Sequence, residues 1–244
     1  MQAINYITES GLQKLHLPDP EENVVAEVKW GRHDELFTPA YWACQSWIAE
    51  ASHSRVHYKL GTTLNEEIGA CLLGGYGIPA EVGLAAFARL RDRGQLDGAA
   101  SARELFQSLS EPLVLGDRVV KYRFARQKSL YLEEVLRLVR NEHPPDDDLS
   151  FRAWLLKFRG IGPKTASWIT RNWKDSDAVA IIDVHICRAG LLVGLFRSER
   201  PQSHYFEMER SFLSFATAIG VRTSILDTII WSQMRRWGTL ASLD

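Results

Sequence analysis

The sequence predicts a mainly α fold, with two helical lobes and a cleft between them. Many segments of medium length carry apolar residues at helical spacing, as residues 121–139 do. Strand-like alternation is short by comparison. It covers Glu22–Trp30, where Val24 and Val28 are among the apolar residues on alternate positions, and it favours short strands near the N-terminus.

The helices can be predicted in order along the chain. The first covers residues 39–51. Thr63 is a good N-cap, and Glu66 three residues later is typical of a capping box, so a second helix begins there and ends at the glycines that follow. A third helix is expected over residues 80–93, and residues 101–118 hold a short helix and a Gly-Asp turn.

A basic run opens the next helix. Residues 121–128 (KYRFARQK) interleave four cations with two aromatic residues, and Arg123 is our candidate for contact with a nucleic-acid phosphate. A solvated basic face explains the same pattern equally well. The acidic segment 141–150 contains two prolines, which predicts a loop, and another helix begins near Leu149.

Residues 151–173 indicate two helices joined by a glycine hairpin at positions 160–162. Pro163 is favoured at the first helical position, so Lys164 falls in the first turn. A helix N-terminus carries partial positive charge, which makes this an unusual place for a lysine. Free N–H groups beside glycines and a basic side chain form an anion site, and a nucleic-acid phosphate would suit it.

Asp183 lies nineteen residues after Lys164, directly behind the apolar run 180–182. We expect it to cap the helix that follows. His185 and Arg188 are three residues apart on that helix, so they share a face.

The hairpin G-I-G-P-K-T-A, followed at this spacing by an apolar-Asp-Val-His run, resembles the helix-hairpin-helix (HhH-GPD) superfamily of DNA glycosylases. It looks most like the small prokaryotic 8-oxoguanine DNA glycosylases, and residues 74–79 (GGYGIP) fit the same branch. The resemblance implies that Lys164 attacks the sugar C1′ and forms a Schiff base. It also implies that Asp183 orients this nucleophile and stabilises positive charge on the sugar. The two lobes would then flank a DNA-binding cleft.

The resemblance implies further site residues. In such enzymes the L-D-x-x-x-W motif, here residues 226–231, lines the pocket for the flipped base. Asp227 would bond the base edge, and Trp231 and Trp168 would stack on the base. Core packing for Trp231 and a structural hydrogen bond for Asp227 stay open as alternatives. The residues expected to contact DNA are Gly160, Gly162, Thr165, His185, Arg188 and Arg123.

The resemblance covers about residues 62–238. We therefore expect residues 1–60 to form an N-terminal extension that packs on a glycosylase core, residues 61–244, with the helix-hairpin-helix at about 149–173. Double-stranded DNA is the expected partner, and the protein is expected to be a monomer. No cofactor or metal is required, although the hairpin carbonyls could hold a monovalent cation.

Composition limits the other classes of function. The formal net charge is −1, so any basic DNA-binding surface must be concentrated on one face. The sequence has neither an apolar stretch of about 18 residues nor a signal-peptide pattern, so we expect a cytoplasmic protein without membrane contact. Its three cysteines, Cys44, Cys71 and Cys187, are too far apart for a C-x-x-C metal site, an iron–sulfur cluster or a disulfide framework.

The departures from the family concern base recognition. The small prokaryotic enzymes end in a lysine, whereas this sequence ends in residues 239–244, TLASLD. Trp168 stands where eukaryotic members carry a small cysteine. We expect excision of 8-oxoguanine with AP-lyase activity. The first alternative is excision of a modified pyrimidine, such as glucosylated hydroxymethylcytosine, from phage DNA as antiviral defence. The second is a non-catalytic DNA-binding module, against which the presence of both Lys164 and Asp183 argues.

Overall fold

The computed structural model describes residues 1–8, 11–51, 59–75, 77–197 and 204–240. Tyr76 of the GGYGIP stretch and residues 241–244 of the terminal segment TLASLD lie outside the described residues. The mainly α class is confirmed, since ten helices and six short strands form within the described ranges. The chain divides into two compact units. We call Met1–Val56 with Asp177–Asp244 the terminal unit, and His57–Ser176 the central unit.

The helices agree closely with the predicted segments. In chain order they are α1 (Pro39–Ala51), α2 (Leu64–Leu73), α3 (Ala80–Asp92), α4 (Ala102–Ser110), α5 (Ala125–Asn141), α6 (Asp148–Leu155), α7 (Pro163–Lys174), α8 (Val184–Leu192), α9 (Tyr205–Ala218) and α10 (Thr223–Leu240).

The strands pair as three separate antiparallel hairpins. They are β1 (Gln2–Thr8) with β2 (Gly11–Leu17), β3 (Asn23–Val25) with β4 (Val28–Lys29), and β5 (Leu113–Leu115) with β6 (Arg118–Val120). The short strands expected in Glu22–Trp30 are confirmed, and there they form one hairpin. Ala26 has φ 43°, which turns the chain so that Val25 pairs with Val28.

The terminal unit has its own hydrophobic core. Helix α1 packs on α10, and α8 and α9 also pack on α10. Trp42 of α1 is fully buried in the same cluster as Phe212 of α9 and Leu226 of α10. Leu17 and Trp30 join that cluster, so much of the expected N-terminal extension packs against the C-terminal helices. The boundary near residue 60 stays a prediction.

The central unit is built around a second core, formed mainly by α2, α3, α5, α6 and α7. Phe151 and Ile169 are fully buried there, which fixes the two helices of the hairpin motif against the rest of the unit. Burial of large apolar side chains such as these stabilises a fold by about 1.5–3 kcal/mol each.

The capping box at the start of α2 differs from its prediction in one partner. The Thr63 hydroxyl accepts the N–H of Glu66 at 3.2 Å, as expected. The Glu66 carboxylate reaches the N–H and hydroxyl of Thr62, both at 2.7 Å, instead of the N–H of Thr63. These bonds, led by the one from the Thr62 backbone, lower the pKa of Glu66.

Within the described ranges, no single helix has the length and hydropathy to cross a membrane; only α9 and residues 223–237 of α10, bent by 105°, meet that test as a pair.

Candidate active site

The glycine hairpin has one crowded glycine and one open glycine. Gly160 has φ +87°, and a Cβ there would lie 2.2 Å from the ring of Tyr131 on α5. Gly162 is the N-cap of α7, with extended backbone, and a Cβ there would meet no atom within 4 Å. The turn therefore requires glycine at position 160 for packing, whereas position 162 leaves its backbone open to a ligand.

Helix α7 begins at Pro163, which confirms the predicted start. Lys164 and Thr165 lie in its first turn and are partly buried. Gly162 has no side chain that could cap the N–H groups of this turn. The end of α7 is thus available to an anion, with a lysine beside it.

A buried carboxylate on α2 is hydrogen-bonded to α7. Glu67 on α2 is fully buried and accepts the N–H groups of Leu60 and Gly61 at 2.7 and 2.9 Å. Its other oxygen accepts the side-chain amide of Asn172 on α7 at 2.6 Å. Sequence reasoning missed this residue. The available signal was a carboxylate within the apolar face of a predicted helix, where a charge needs partners.

Trp168 stands one turn after Lys164 and packs inside the central unit. A Cβ on Gly74, at the C-terminal end of α2, would lie 3.1 Å from Cη2 of Trp168. Gly83 of α3 also packs closely on Gly74, because a Cβ on Gly83 would lie 3.2 Å from the Gly74 Cα. The first glycine of the GGYGIP stretch therefore seats the indole of Trp168. The role of this indole in base stacking stays a prediction.

The basic run before α5 contributes fewer groups than its sequence offers. The run was predicted to open this helix. The helix begins at Ala125, so residues 121–124 precede it. Tyr122 is buried, and its hydroxyl donates to the carbonyl of Leu73 at 2.8 Å, so its ring belongs to the core. Burial also lowers the pKa of Lys128. Arg123 is exposed, with its guanidinium 5.0 Å from the Phe124 ring, and remains open to a phosphate.

Asp183 is the N-cap of α8, as predicted. Its Oδ1 accepts both first-turn N–H groups, of His185 at 2.8 Å and Ile186 at 3.1 Å. No hydrogen bond from the described residues reaches Oδ2, and the residue is 8% exposed. One carboxylate oxygen thus fixes the helix while the other stays available for chemistry.

Helix α8 also presents the two basic residues that were expected to share a face. Arg188 is exposed and His185 is partly buried. The His185 ring meets Trp231 of α10 edge to face, with 6.4 Å between ring centroids. Trp231 is 38% exposed, and the Arg235 guanidinium lies 5.2 Å from its ring. The indole is therefore partly exposed, with a guanidinium over its ring and an imidazole packed against it.

Asp227 is 2% exposed, and its carboxylate is bonded to the protein. Oδ2 accepts the N–H of Ile181 at 3.4 Å, and Oδ1 lies 3.1 Å from the hydroxyl of Thr228, which it shares with the carbonyl of Ser224. These contacts favour the structural hydrogen bond over contact with a base edge. The base-edge role stays a prediction.

The cysteines are buried free thiols. Burial raises the pKa of Cys44 to about 11, and burial next to Glu67 raises the pKa of Cys71. Such thiols are poor nucleophiles. Across the described ranges, no three His, Cys, Asp or Glu side chains gather as a metal site.

Comparison with solved structures identifies the fold. The 8-oxoguanine DNA glycosylase of Thermotoga maritima superposes with a TM-score of 0.60 at 23% identity, over 78% of this chain and 94% of that one. The Methanocaldococcus jannaschii 8-oxoguanine glycosylase/lyase, in complex with a 15mer DNA containing 8-oxoguanine, gives 0.55 at 21% identity, over 79% and 87%. An endonuclease III–DNA complex gives a TM-score of 0.55 at 15% identity, over 77% of this chain and 81% of that one. Relatives of this fold have therefore been crystallised with DNA.

Sequence comparison gives the family. The 8-oxoguanine DNA glycosylase/AP lyase of Metallosphaera sedula is 36% identical over 85 residues, which is 35% of this chain and 42% of that protein. The alignment thus spans less than half of the curated relative. The family model described as 8-oxoguanine DNA glycosylase matches residues 55–221, well over half of the chain. The chain therefore belongs to the 8-oxoguanine DNA glycosylase family of the helix-hairpin-helix superfamily.

Proposed function

We propose that this protein is a DNA glycosylase that flips 8-oxoguanine out of double-stranded DNA, excises it, and then nicks the abasic strand as an AP lyase. The observation that carries the proposal is the pair of Lys164 and Asp183. Lys164 stands in the first turn of α7, behind an open glycine, and Asp183 caps α8 with one oxygen to spare. A phosphate-binding hairpin alone would not need both groups.

Base release needs a nucleophile and a stabiliser of positive charge. The neutral amine of Lys164 attacks C1′ while the bond from C1′ to the base nitrogen breaks, and the departing base keeps that electron pair and takes up a proton. The carboxylate of Asp183 stabilises the positive charge that develops on the sugar, as a glycosidase carboxylate does. Its Oδ2 is the oxygen suited to this task, because Oδ1 is engaged by two N–H groups.

Strand cleavage follows from the covalent product. The amine loses a proton and the sugar ring opens, which leaves a protonated Schiff base between Lys164 and C1′. Loss of a C2′ proton then expels the 3′ phosphate by β-elimination. Hydrolysis of the imine returns the free lysine. The sequence of steps needs no electron donor or acceptor.

The remaining predicted site residues would hold the substrate. The N-terminus of α7 suits a phosphate, with Gly160, Gly162 and Thr165 in or beside the turn. Exposed Arg123 and Arg188, with His185, would neutralise further phosphates. Flipping a base costs a few kcal/mol, and stacking on an aromatic side chain recovers about 1–3 kcal/mol. Trp231, which is partly exposed, is the first candidate for such stacking, and Trp168 is the second.

The first test measures base release by mass spectrometry. The panel holds duplexes with 8-oxoguanine, with glucosylated hydroxymethylcytosine, and with no modification. Release of 8-oxoguanine alone supports the proposal. Release of only the phage base would overturn the substrate and favour antiviral defence. Trp168 is one of the departures from the family that motivate this second substrate, because it stands where eukaryotic members carry a small cysteine. Release from no duplex would overturn base excision on this panel and favour the DNA-binding module.

The second test identifies the nucleophile. Borohydride reduction should trap the wild-type protein on a duplex that contains an abasic site. Lys164→Gln should abolish the trapped product, whereas Lys157→Gln, a matched change at an exposed lysine of the same unit, should leave it unchanged. Trapping that persists in Lys164→Gln would assign the Schiff base to another amine.

A further inference from the structure

Tyr205 bridges the segment 180–182, which immediately precedes Asp183. Its hydroxyl accepts the N–H of Ile182 at 3.2 Å and donates to the carbonyl of Ala180 at 2.8 Å. The segment is neither helix nor strand, so these backbone groups have no partners from regular structure. Buried backbone groups need partners. One phenol hydroxyl therefore satisfies both ends of a three-residue segment.

Two buried carboxylates hold the same segment. The N–H of Ala180 donates to Oε1 of Glu209 at 3.1 Å, and the N–H of Ile181 donates to Oδ2 of Asp227 at 3.4 Å, a longer bond. Both acidic residues are 2% exposed. Burying a carboxylate is costly unless it is hydrogen-bonded. Both carboxylates therefore accept hydrogen bonds from the backbone of a short, otherwise irregular segment.

The three side chains come from two helices. Tyr205 and Glu209 are four residues apart on α9, so they lie on one face, and Asp227 lies in the second turn of α10. Three consecutive N–H groups thus go to three different side chains. Core packing alone would not require this pattern, because apolar contacts do not fix individual peptide groups.

The position of Asp183 follows from these bonds. Its backbone is fixed from the N-terminal side by the segment 180–182 and from the C-terminal side by its own cap on α8. We propose that Tyr205, Glu209 and Asp227 are positioning residues that set the Asp183 carboxylate for base release. The proposal rests on the proposed function of Asp183, and it gives Asp227 a task other than contact with the base edge.

Base release is the step that should respond to a displaced Asp183. Misplacing a catalytic group by about 1 Å costs on the order of a hundredfold in rate. A preformed abasic site has already lost its base, and its sugar C1′ can react as an aldehyde. Formation of the Schiff base there depends on Lys164 and needs little stabilisation of a sugar cation. The two reactions therefore separate a displaced carboxylate from a generally damaged protein.

The decisive variant is Tyr205→Phe, which removes the two hydrogen bonds to the segment 180–182 and keeps the ring. Tyr41→Phe is its matched control. The Tyr41 hydroxyl also donates a side-chain hydrogen bond within the terminal unit, to Gln233, but it has no bond to the segment 180–182. Glu209→Gln keeps an oxygen acceptor for the N–H of Ala180, whereas Glu209→Leu removes it. Comparison of the two variants therefore tests whether the hydrogen bond to Ala180 is what matters at this position.

Three activities are measured for each variant. They are single-turnover release of 8-oxoguanine, borohydride trapping on a preformed abasic site, and affinity for a duplex with a tetrahydrofuran abasic analogue. Tyr205→Phe should release base about tenfold more slowly or worse, with trapping and affinity within about threefold of wild type. Hydrogen exchange of the peptide that covers residues 180–183 should be faster in Tyr205→Phe than in Tyr41→Phe. Glu209→Gln should release base faster than Glu209→Leu.

Wild-type rates of base release and exchange in Tyr205→Phe would overturn the positioning role. A parallel fall of all three activities, in step with a loss of folded protein, would also overturn it and leave a purely structural role. Absence of base release from the wild-type protein would instead overturn the proposed function, so the two failures are distinguishable.

Discussion

The ring of Tyr131 on α5 lies so close to Gly160 that a Cβ on that glycine would fall 2.2 Å from the ring Cδ2. The guanidinium of Arg159 lies 5.4 Å from the same ring. Helix α5 and the hairpin before α7 therefore pack as one structure within the central unit, and the packing depends on a residue without a side chain.

Gly160→Ala should destabilise the protein. The new methyl group would overlap the Tyr131 ring, and φ +87° is strained for any residue with a Cβ. We expect a loss of about 2–4 kcal/mol in the free energy of unfolding, measured by urea denaturation. Tyr131→Ala in the same background should recover part of the loss, because it removes the atoms that clash. A stability equal to wild type would contradict the observed packing.

Gly162→Ala should affect DNA binding instead of folding. A Cβ at this position meets no atom within 4 Å, and the backbone is extended, so stability should fall by no more than about 1 kcal/mol. A methyl group there would obstruct close approach of a phosphate to the N-terminus of α7. Affinity for duplex DNA, measured by fluorescence anisotropy at fixed salt, should therefore drop. Unchanged affinity would mean that no phosphate binds at this turn.

Asp183→Asn and Asp183→Ala should separate the cap from the chemistry. The amide oxygen of Asn can still accept the N–H groups of His185 and Ile186, so Asp183→Asn should stay close to wild type in stability. Asp183→Ala loses the cap, which costs about 1 kcal/mol. Both variants lose the negative charge, so both should lose base release. An active Asp183→Asn would show that the charge is dispensable and would remove this residue from the proposed mechanism.

Two substitutions of the buried Glu67 should have different effects on stability. Glu67→Leu leaves the N–H groups of Leu60 and Gly61 without an acceptor and should cost about 3 kcal/mol or more. Glu67→Gln keeps one oxygen for them. Its new amide can donate to Oδ1 of Asn172, which has no partner among the described residues, if the Asn172 amide turns over. Thermal unfolding should place Glu67→Gln near wild type; equal losses in both variants would show that the charge itself is required.

The sequence was sufficient to predict the local features of this molecule. Helix starts such as Pro163 and the cap at Asp183 depend on residues within one turn, and the structure agrees with them. Short N-terminal strands were predicted, but the turn between β3 and β4 was not, since Ala26 adopts a positive φ that alternation does not reveal. Two-stranded hairpins have weak intrinsic signals, and their pairing is decided by packing on the rest of the unit.

The candidate site shows the same limit. The types and order of Lys164 and Asp183 could be read from the sequence, but their supports could not. The side chains that hold the segment 180–182 come from 23 to 46 residues later in the chain, and nothing local marks them. Asp227 illustrates the difference, because its motif suggested contact with a base while its bonds go to the protein.

Asp177 gives the last prediction, on acid stability. Its two oxygens accept the N–H of Ser224 at 2.8 Å and Nε of Arg222 at 2.7 Å, which fixes the start of α10. Burial alone would raise the pKa of Asp177, but these bonds, led by the one from the Ser224 backbone, lower it. A carboxyl whose pKa is lowered by folding contributes stability above its unfolded pKa of about 3.9, and that stability is lost as the pH falls through the folded pKa.

Asp177→Asn should therefore be less stable than wild type at pH 6–7, by about 1 kcal/mol because the pair is partly exposed. The gap should close as the pH falls below about 4, in urea denaturation followed from pH 7 downward. Asp117→Asn in the β5–β6 turn is the control, since its side chain makes no hydrogen bond among the described residues. A gap for Asp177→Asn that stays constant with pH would show that the bonds to α10 do not depend on the charge.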